Sequence, residues 1–143
     1  MSLKVVVGSR SRSRSKEAME ILEKNGYILE LNPFDRTMTE DELIERIKGA
    51  SALVAGSDKV TKRVLEAGSP TLKIVAKQGV GYNTIDIEAA KELGIAVTIT
   101  PGANSKSVAD LTMGLILNAA RNISGMDRAI RNNEWYRYTG CEL

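Results

Sequence analysis

The chain has 143 residues, 43% of them apolar and 27% charged, with a net charge of +2. That length suits one domain able to bury roughly 68–70% of the surface its unfolded form exposes, and the composition stands clear of the disordered class. Basic residues are spread along the chain and no apolar run approaches the roughly 20 residues of a membrane span, so nothing points to nucleic acid or to a membrane.

Residues 3–7 (Leu-Lys-Val-Val-Val) read as a compact β-branched strand ended by Gly8. The start of the chain runs straight into it, without a charged leader or a cleavage site. The alternating Ser-Arg run over residues 9–15 reads as a solvated loop entering a helix, or as a phosphate site. Residues 16–25 carry Ala18, Met19, Ile21 and Leu22 at helical spacing, with Gly26 as the stop. Residues 27–31 form the second expected strand, cut by Asn32-Pro33. Thr39 and Glu42 have capping-box spacing, which opens a helix with Leu43, Ile44 and Ile47 inward and Gly49 at its end.

A third strand is expected over residues 52–55 and a third helix over 61–67, ended by Gly68 and Pro70. A fourth strand over residues 72–76 leads into a Gly79-Val80-Gly81 loop. Asp86 is placed to cap a fourth helix that stops at Gly94, and residues 95–99 make a fifth strand. Short strands alternating with helices imply right-handed crossovers and a parallel sheet. Five strands suit a flavodoxin-like, doubly wound α/β fold in the order 2-1-3-4-5, with ligands beyond the strand C-termini.

After Pro101 the pattern changes. Ser105 or Ser107 is placed to cap a helix running to about Asn122, and Ser107 with Asp110 again has capping-box spacing. Its Val108, Leu111, Met113, Leu115, Ile116 and Leu117 leave little polar face, so this helix requires covering on several sides. A last helix is expected over residues 126–133.

The glycine pair at 79 and 81, directly after a strand, lets backbone approach a ligand and turn its N–H groups outward. A tight turn is the alternative. It is not a dinucleotide fingerprint, because Tyr82-Asn83-Thr84 supplies no third glycine. The single cysteine, Cys141, cannot form an intrachain disulfide and suits a reducing compartment, the cytoplasm. With no histidine in the chain to activate it, it reads as an incidental thiol.

Gly79, Gly81, Asn83, Ile85 and Asp86, then Gly94, Ile95, Val97 and Pro101, then Asn104, Ser107, Val108, Ala109 and Asp110 follow one another in a fixed order. In that order they resemble the D-isomer-specific 2-hydroxyacid dehydrogenases, most closely the phosphoglycerate dehydrogenase branch, oxidoreductases of serine biosynthesis. The resemblance implies an NAD-dependent enzyme (NADP remaining open) acting on a small 2-hydroxy or 2-oxo acid. It implies that Val80 and Gly81 hold the substrate carboxylate against the nicotinamide, and that Asn104 lines the same pocket. Substrate-binding residues are therefore expected at Lys77, Gly79, Val80, Gly81 and Asn104, with Val80 and Asn104 also against the cofactor. Asn104 as a mere helix cap is the alternative, while Asp86 and Asp110 read as caps.

The resemblance also divides the chain. Residues 1–100 would be the flavodoxin-like substrate-binding domain, and 101–143 the hinge and first helices of the nucleotide-binding domain, with residues 104–122 at a homodimer interface. Many members of the phosphoglycerate branch carry an arginine after the third strand. Here the residues are Ala55, Gly56, Ser57 and Asp58, so a phosphorylated substrate would need another cation, and Lys77 ranks above Arg10, Arg12 and Arg14. No metal site and no catalytic residue is assigned, because the family's Arg, Glu and His would follow Leu143. The chain alone is expected to be inactive. The other reading is a stand-alone small-acid-binding or regulatory module, and the reading frame beyond Leu143 separates the two.

Overall fold

The computed structural model describes residues 3–10 and 15–143. Two compact units divide between Pro101 and Gly102. The first holds five strands, β1 (Lys4–Val7), β2 (Ile28–Leu31), β3 (Ala52–Ala55), β4 (Ile74–Lys77) and β5 (Ala96–Thr98). It also holds four helices, α1 (Lys16–Lys24), α2 (Glu40–Ile47), α3 (Lys62–Gly68) and α4 (Ile87–Glu92). The strands pair in parallel in the order β2-β1-β3-β4-β5. This is the doubly wound α/β layout that the alternation of strand and helix periods implies.

One face of the sheet is closed by α2, α3 and α4. Val6, Leu53 and Val75 point into a cluster with Leu43, Ile47, Val64, Leu65, Ala89 and Ala90, all buried. Successive strand residues point to opposite faces, so Val5, Ala52, Val54, Ile74 and Ala76 line the other side. There they border an open groove of about 610 Å³ that also includes Leu22 of α1 and Tyr27. α1 has no fully buried residue, so this face is covered only in part.

The helix starts follow their local chemistry. Thr39 Oγ1 accepts from Glu42 N–H at 3.3 Å and Glu42 Oε2 accepts from Thr39 N–H at 2.8 Å, the reciprocal pair that the spacing predicts. Arg36 adds a two-point contact to the same carboxylate, at 2.8 and 2.7 Å. Together these hold the Glu42 carboxyl down at about 2, the Arg36 hydrogen bonds contributing most. Asp86 Oδ1 accepts from Ala89 N–H at 3.0 Å, so Asp86 caps α4 as expected.

The second unit holds α5 (Ser105–Arg121) and α6 (Ile123–Arg131). Here the capping expectation fails. Gly102 at φ +75 turns the chain, Ser105 N–H bonds back to Gly102 O, and the first long helical bond runs from Val108 N–H to Asn104 O. The helix is therefore already under way at Ser105, Asn104 is its cap residue without a side-chain capping bond, and Ser107 and Asp110 lie inside it. α6 also begins earlier than predicted. Asn122, at φ +49, ends one helix and starts the next, and Asn118 Oδ1 accepts from both the amide and the hydroxyl of Ser124 at 2.8 Å. Most of the large apolar side chains of α5 are exposed, Leu111 at 63% and Leu115 at 58%. Among the described residues no helix is long and apolar enough to cross a membrane.

Candidate functional site

In a parallel sheet whose order reverses between β1 and β3, the loops after the strand C-termini splay apart and leave a crevice. Those loops contain Gly8 after β1, residues 56–58 after β3 and residues 78–82 after β4. Each of the three is held from within the first unit.

The loop after β4 is fastened at both ends. Gln78 N–H bonds to Ala55 O at 2.9 Å, continuing the ladder between β3 and β4. Gly79 then makes a two-way pair with Thr100, its N–H donating to Thr100 Oγ1 at 2.9 Å and its carbonyl accepting from Thr100 N–H at 2.9 Å. At the far end Val60 N–H bonds to Thr84 O at 2.8 Å and Asp86 N–H to Val60 O at 2.9 Å, with a parallel bridge between Val60 and Ile85. Residues 80–82 arch between these anchors and are exposed. Among the described residues the amides of Val80 and Gly81 have no hydrogen-bond partner.

The two glycines are there for different reasons. Gly79 sits at φ +133, a backbone conformation that side chains with a Cβ rarely adopt. Gly81 has no such positive φ, and a Cβ built on it would meet only Asn83 Oδ1 at 3.6 Å, an ordinary contact. Nothing inside the unit requires glycine at 81.

Lys77, the last residue of β4, is half-buried and its ammonium donates to the carbonyl oxygen of Gly56. Asp58 meets the same residue from the other side, its Oδ2 accepting from Gly56 N–H at 3.0 Å. Asp58 is 1% exposed, and its Oδ1 has no partner among the described residues. Burial pushes its carboxyl above the usual carboxylate range, while the amides of Gly56, Met38 and Asp58 itself and the Lys77 charge pull the other way. A Cβ on Gly8 would lie 2.3 Å from Asp58 Oδ2, so Gly8 leaves the room that this carboxylate fills. The Gly8 carbonyl is held in turn by buried Asn32, whose Nδ2 donates to it and to Arg36 O, each at 2.9 Å.

The structure thus brings Lys77, Gly79, Val80 and Gly81 together on one loop. Asn104 belongs to the second unit, exposed at the start of α5. Of the alternative cations, Arg10 is exposed, and Arg12 and Arg14 lie outside the described residues. Three participants escaped the sequence reading: Thr100, which pins Gly79; Asp58; and Gly56, on which Lys77 and Asp58 converge. Their roles depend on pairings between separate loops. Among the described residues no cluster of His, Cys, Asp and Glu suits a metal ion.

Comparison with known proteins identifies the family. The sequence profile described as "D-isomer specific 2-hydroxyacid dehydrogenase, catalytic domain" matches residues 5–139. A D-3-phosphoglycerate dehydrogenase from Methanocaldococcus jannaschii is 44% identical over 131 residues, which cover 90% of this chain and 24% of that protein. A hydroxypyruvate reductase from Thermotoga maritima is 40% identical over 121 residues, 84% of this chain and 38% of that protein. Among solved structures, the NAD+-bound 3-phosphoglycerate dehydrogenase of Entamoeba histolytica superposes with a TM-score of 0.79 at 32% identity, covering 100% of this chain and 44% of that one. The chain therefore spans less than half the length of these relatives.

Proposed function

Because the chain belongs to the D-isomer specific 2-hydroxyacid dehydrogenase family, through that family's catalytic domain, we propose that it is the substrate-binding part of an NAD-dependent oxidoreductase acting on the CH–OH group of a small 2-hydroxy acid. The observation that carries this reading is the pair of open amides at Val80 and Gly81, held on an arch that is fastened at Gly79 and again at residues 84–86. Two successive N–H groups without an internal partner suit an anion-binding nest, and a carboxylate fits such a nest. Lys77 at the base of the loop adds positive charge.

The cofactor supplies the hydride exchange at the substrate's C2 when bound. This chain's residues supply orientation. The exposed isopropyl group of Val80 suits the face of a flat ring, and the family resemblance adds Asn104, whose side chain makes no capping bond, as a further candidate. Fixing the carboxylate lowers the entropy lost on reaching a reactive geometry. The chain has no histidine to take the hydroxyl proton near neutral pH, so we expect no turnover from these 143 residues alone. The exposed apolar face of α5 supports homodimerisation through residues 104–122, and the lone cysteine suits the cytoplasm.

Calorimetric titration with small 2-oxo and 2-hydroxy acids tests the reading. A single weak site is expected, lost in Gly81→Val while the circular dichroism spectrum is unchanged. Equal binding by Gly81→Val and wild type would rule out the nest.

A further inference from the structure

The sheet edge holds one feature that the nest does not use, a buried carboxylate beside the loop's only lysine. Asp58 is 1% exposed, has an oxygen without a partner among the described residues, and occupies space that Gly8 leaves by lacking a Cβ. Its other oxygen takes the Gly56 amide at 3.0 Å, and the Lys77 ammonium takes the Gly56 carbonyl. A carboxylate and an ammonium are therefore tied to the same residue, at the C-terminal end of adjacent strands.

The consequence is electrostatic. A phosphomonoester brings two negative charges at neutral pH in addition to the carboxylate, whereas an unphosphorylated acid brings only its carboxylate. Two open amides and one cation suit the single charge. A buried anion repels the extra ones, and repulsion from a desolvated group is screened far less than at the surface. The lysine does not fully offset this, because its ammonium is held by the Gly56 carbonyl and its charge is already felt by Asp58.

Building on the nest proposed above, we infer that Asp58 is a specificity-determining residue that cancels the Lys77 charge and turns the site against phosphorylated acids, leaving small unphosphorylated 2-hydroxy and 2-oxo acids as its substrate class. Gly8 and Asn32 are positioning residues for that carboxylate, one by leaving space and one by fixing the strand end.

The test titrates D-glycerate and D-3-phosphoglycerate into the 143-residue chain at pH 8, following the amide resonances of Val80 and Gly81. At that pH the phosphate, with a second pKa of about 6, is a dianion. D-glycerate is expected to bind at least as tightly as D-3-phosphoglycerate. Asp58→Asn is expected to improve D-3-phosphoglycerate about tenfold relative to D-glycerate, in line with the removal of one weakly screened charge. Because that variant disturbs a buried group, Lys77→Met is the second arm. It leaves the Asp58 charge without its counter-charge, so it should weaken D-3-phosphoglycerate more than D-glycerate. A wild-type preference for D-3-phosphoglycerate of tenfold or more, or a ratio of the two acids that stays within about twofold of wild type in both Asp58→Asn and Lys77→Met, overturns this inference and leaves the nest standing. Failure of both acids to move either amide overturns the nest and this inference together.

Discussion

Replacing Gly79 by alanine separates backbone strain from every other role of the ligand loop. Its φ is +133, and a Cβ added there meets nothing within 4 Å. The methyl group costs nothing by collision, so the penalty comes wholly from the backbone. Holding a residue with a Cβ in that region costs about 1–3 kcal/mol. Relaxing instead would break the two-way pair with Thr100, at 2.9 Å in each direction, and two net hydrogen bonds at about 0.5–1.5 kcal/mol each give a similar figure. The chain takes the cheaper route, so a loss of about 1–3 kcal/mol is expected either way. For a unit of about 100 residues that corresponds to roughly 4–8 °C per kcal/mol. Urea unfolding monitored by circular dichroism is the assay, with Gly81→Ala as the partner experiment. Gly81 has no positive φ and room for a Cβ 3.6 Å from Asn83 Oδ1, so its alanine variant should stay within about 0.5 kcal/mol of wild type while losing acid binding. Equal destabilisation by both substitutions, or none by Gly79→Ala, would refute the division of labour between the two glycines.

Leu53, fully buried in β3, should lose about 2–5 kcal/mol as Leu53→Ala, read from the same urea transition. The Glu42 carboxyl, lowered to about 2 chiefly by its hydrogen bonds with Arg36, contributes stability that is present above its unfolded value. That stability is lost as pH falls through the folded one. Glu42→Gln should therefore flatten the acid limb of the stability profile between those two values, and an unchanged limb would show that the Arg36 contact is not maintained in solution. Leu111 and Leu115 lie one helical turn apart on α5, both well exposed. Changing both to lysine should convert a self-associating chain into a monomer by sedimentation equilibrium, whereas a wild-type monomer at micromolar concentration would remove the dimer from the proposal.

Where local chemistry decides, the structure could be read from the chain in advance. Alternating strand and helix patterns gave the sheet, and the glycines at 26, 49 and 94, all at positive φ, marked helix ends because only a left-handed residue stops a helix cleanly. Thr39 with Glu42 behaved as its spacing implied. Where a distant group decides, the reading slipped. The strand expected from Leu72 begins at Ile74 because Leu72 N–H is taken by Gly68 O, closing the turn that ends α3. The last helix starts at Ile123 because Asn118, on the preceding helix, supplies its cap. Ser107 and Asp110 had a capping spacing but no cap to make, since Gly102 had already turned the backbone.

The same division explains the site. The glycine pair announced an approach to backbone because glycine is a local signal, but it did not say which amide faces outward. That depends on Thr100, some twenty residues away, which claims the Gly79 N–H and so leaves the next two amides open. Lys77 was legible as a cation at the loop but not as one held by the Gly56 carbonyl, because its partner lies at the end of the strand beside it. A charge counted along the sequence is therefore an upper bound on the charge a ligand meets. On the inference drawn above, the difference between the two decides whether the ligand loop can hold a phosphate in addition to a carboxylate.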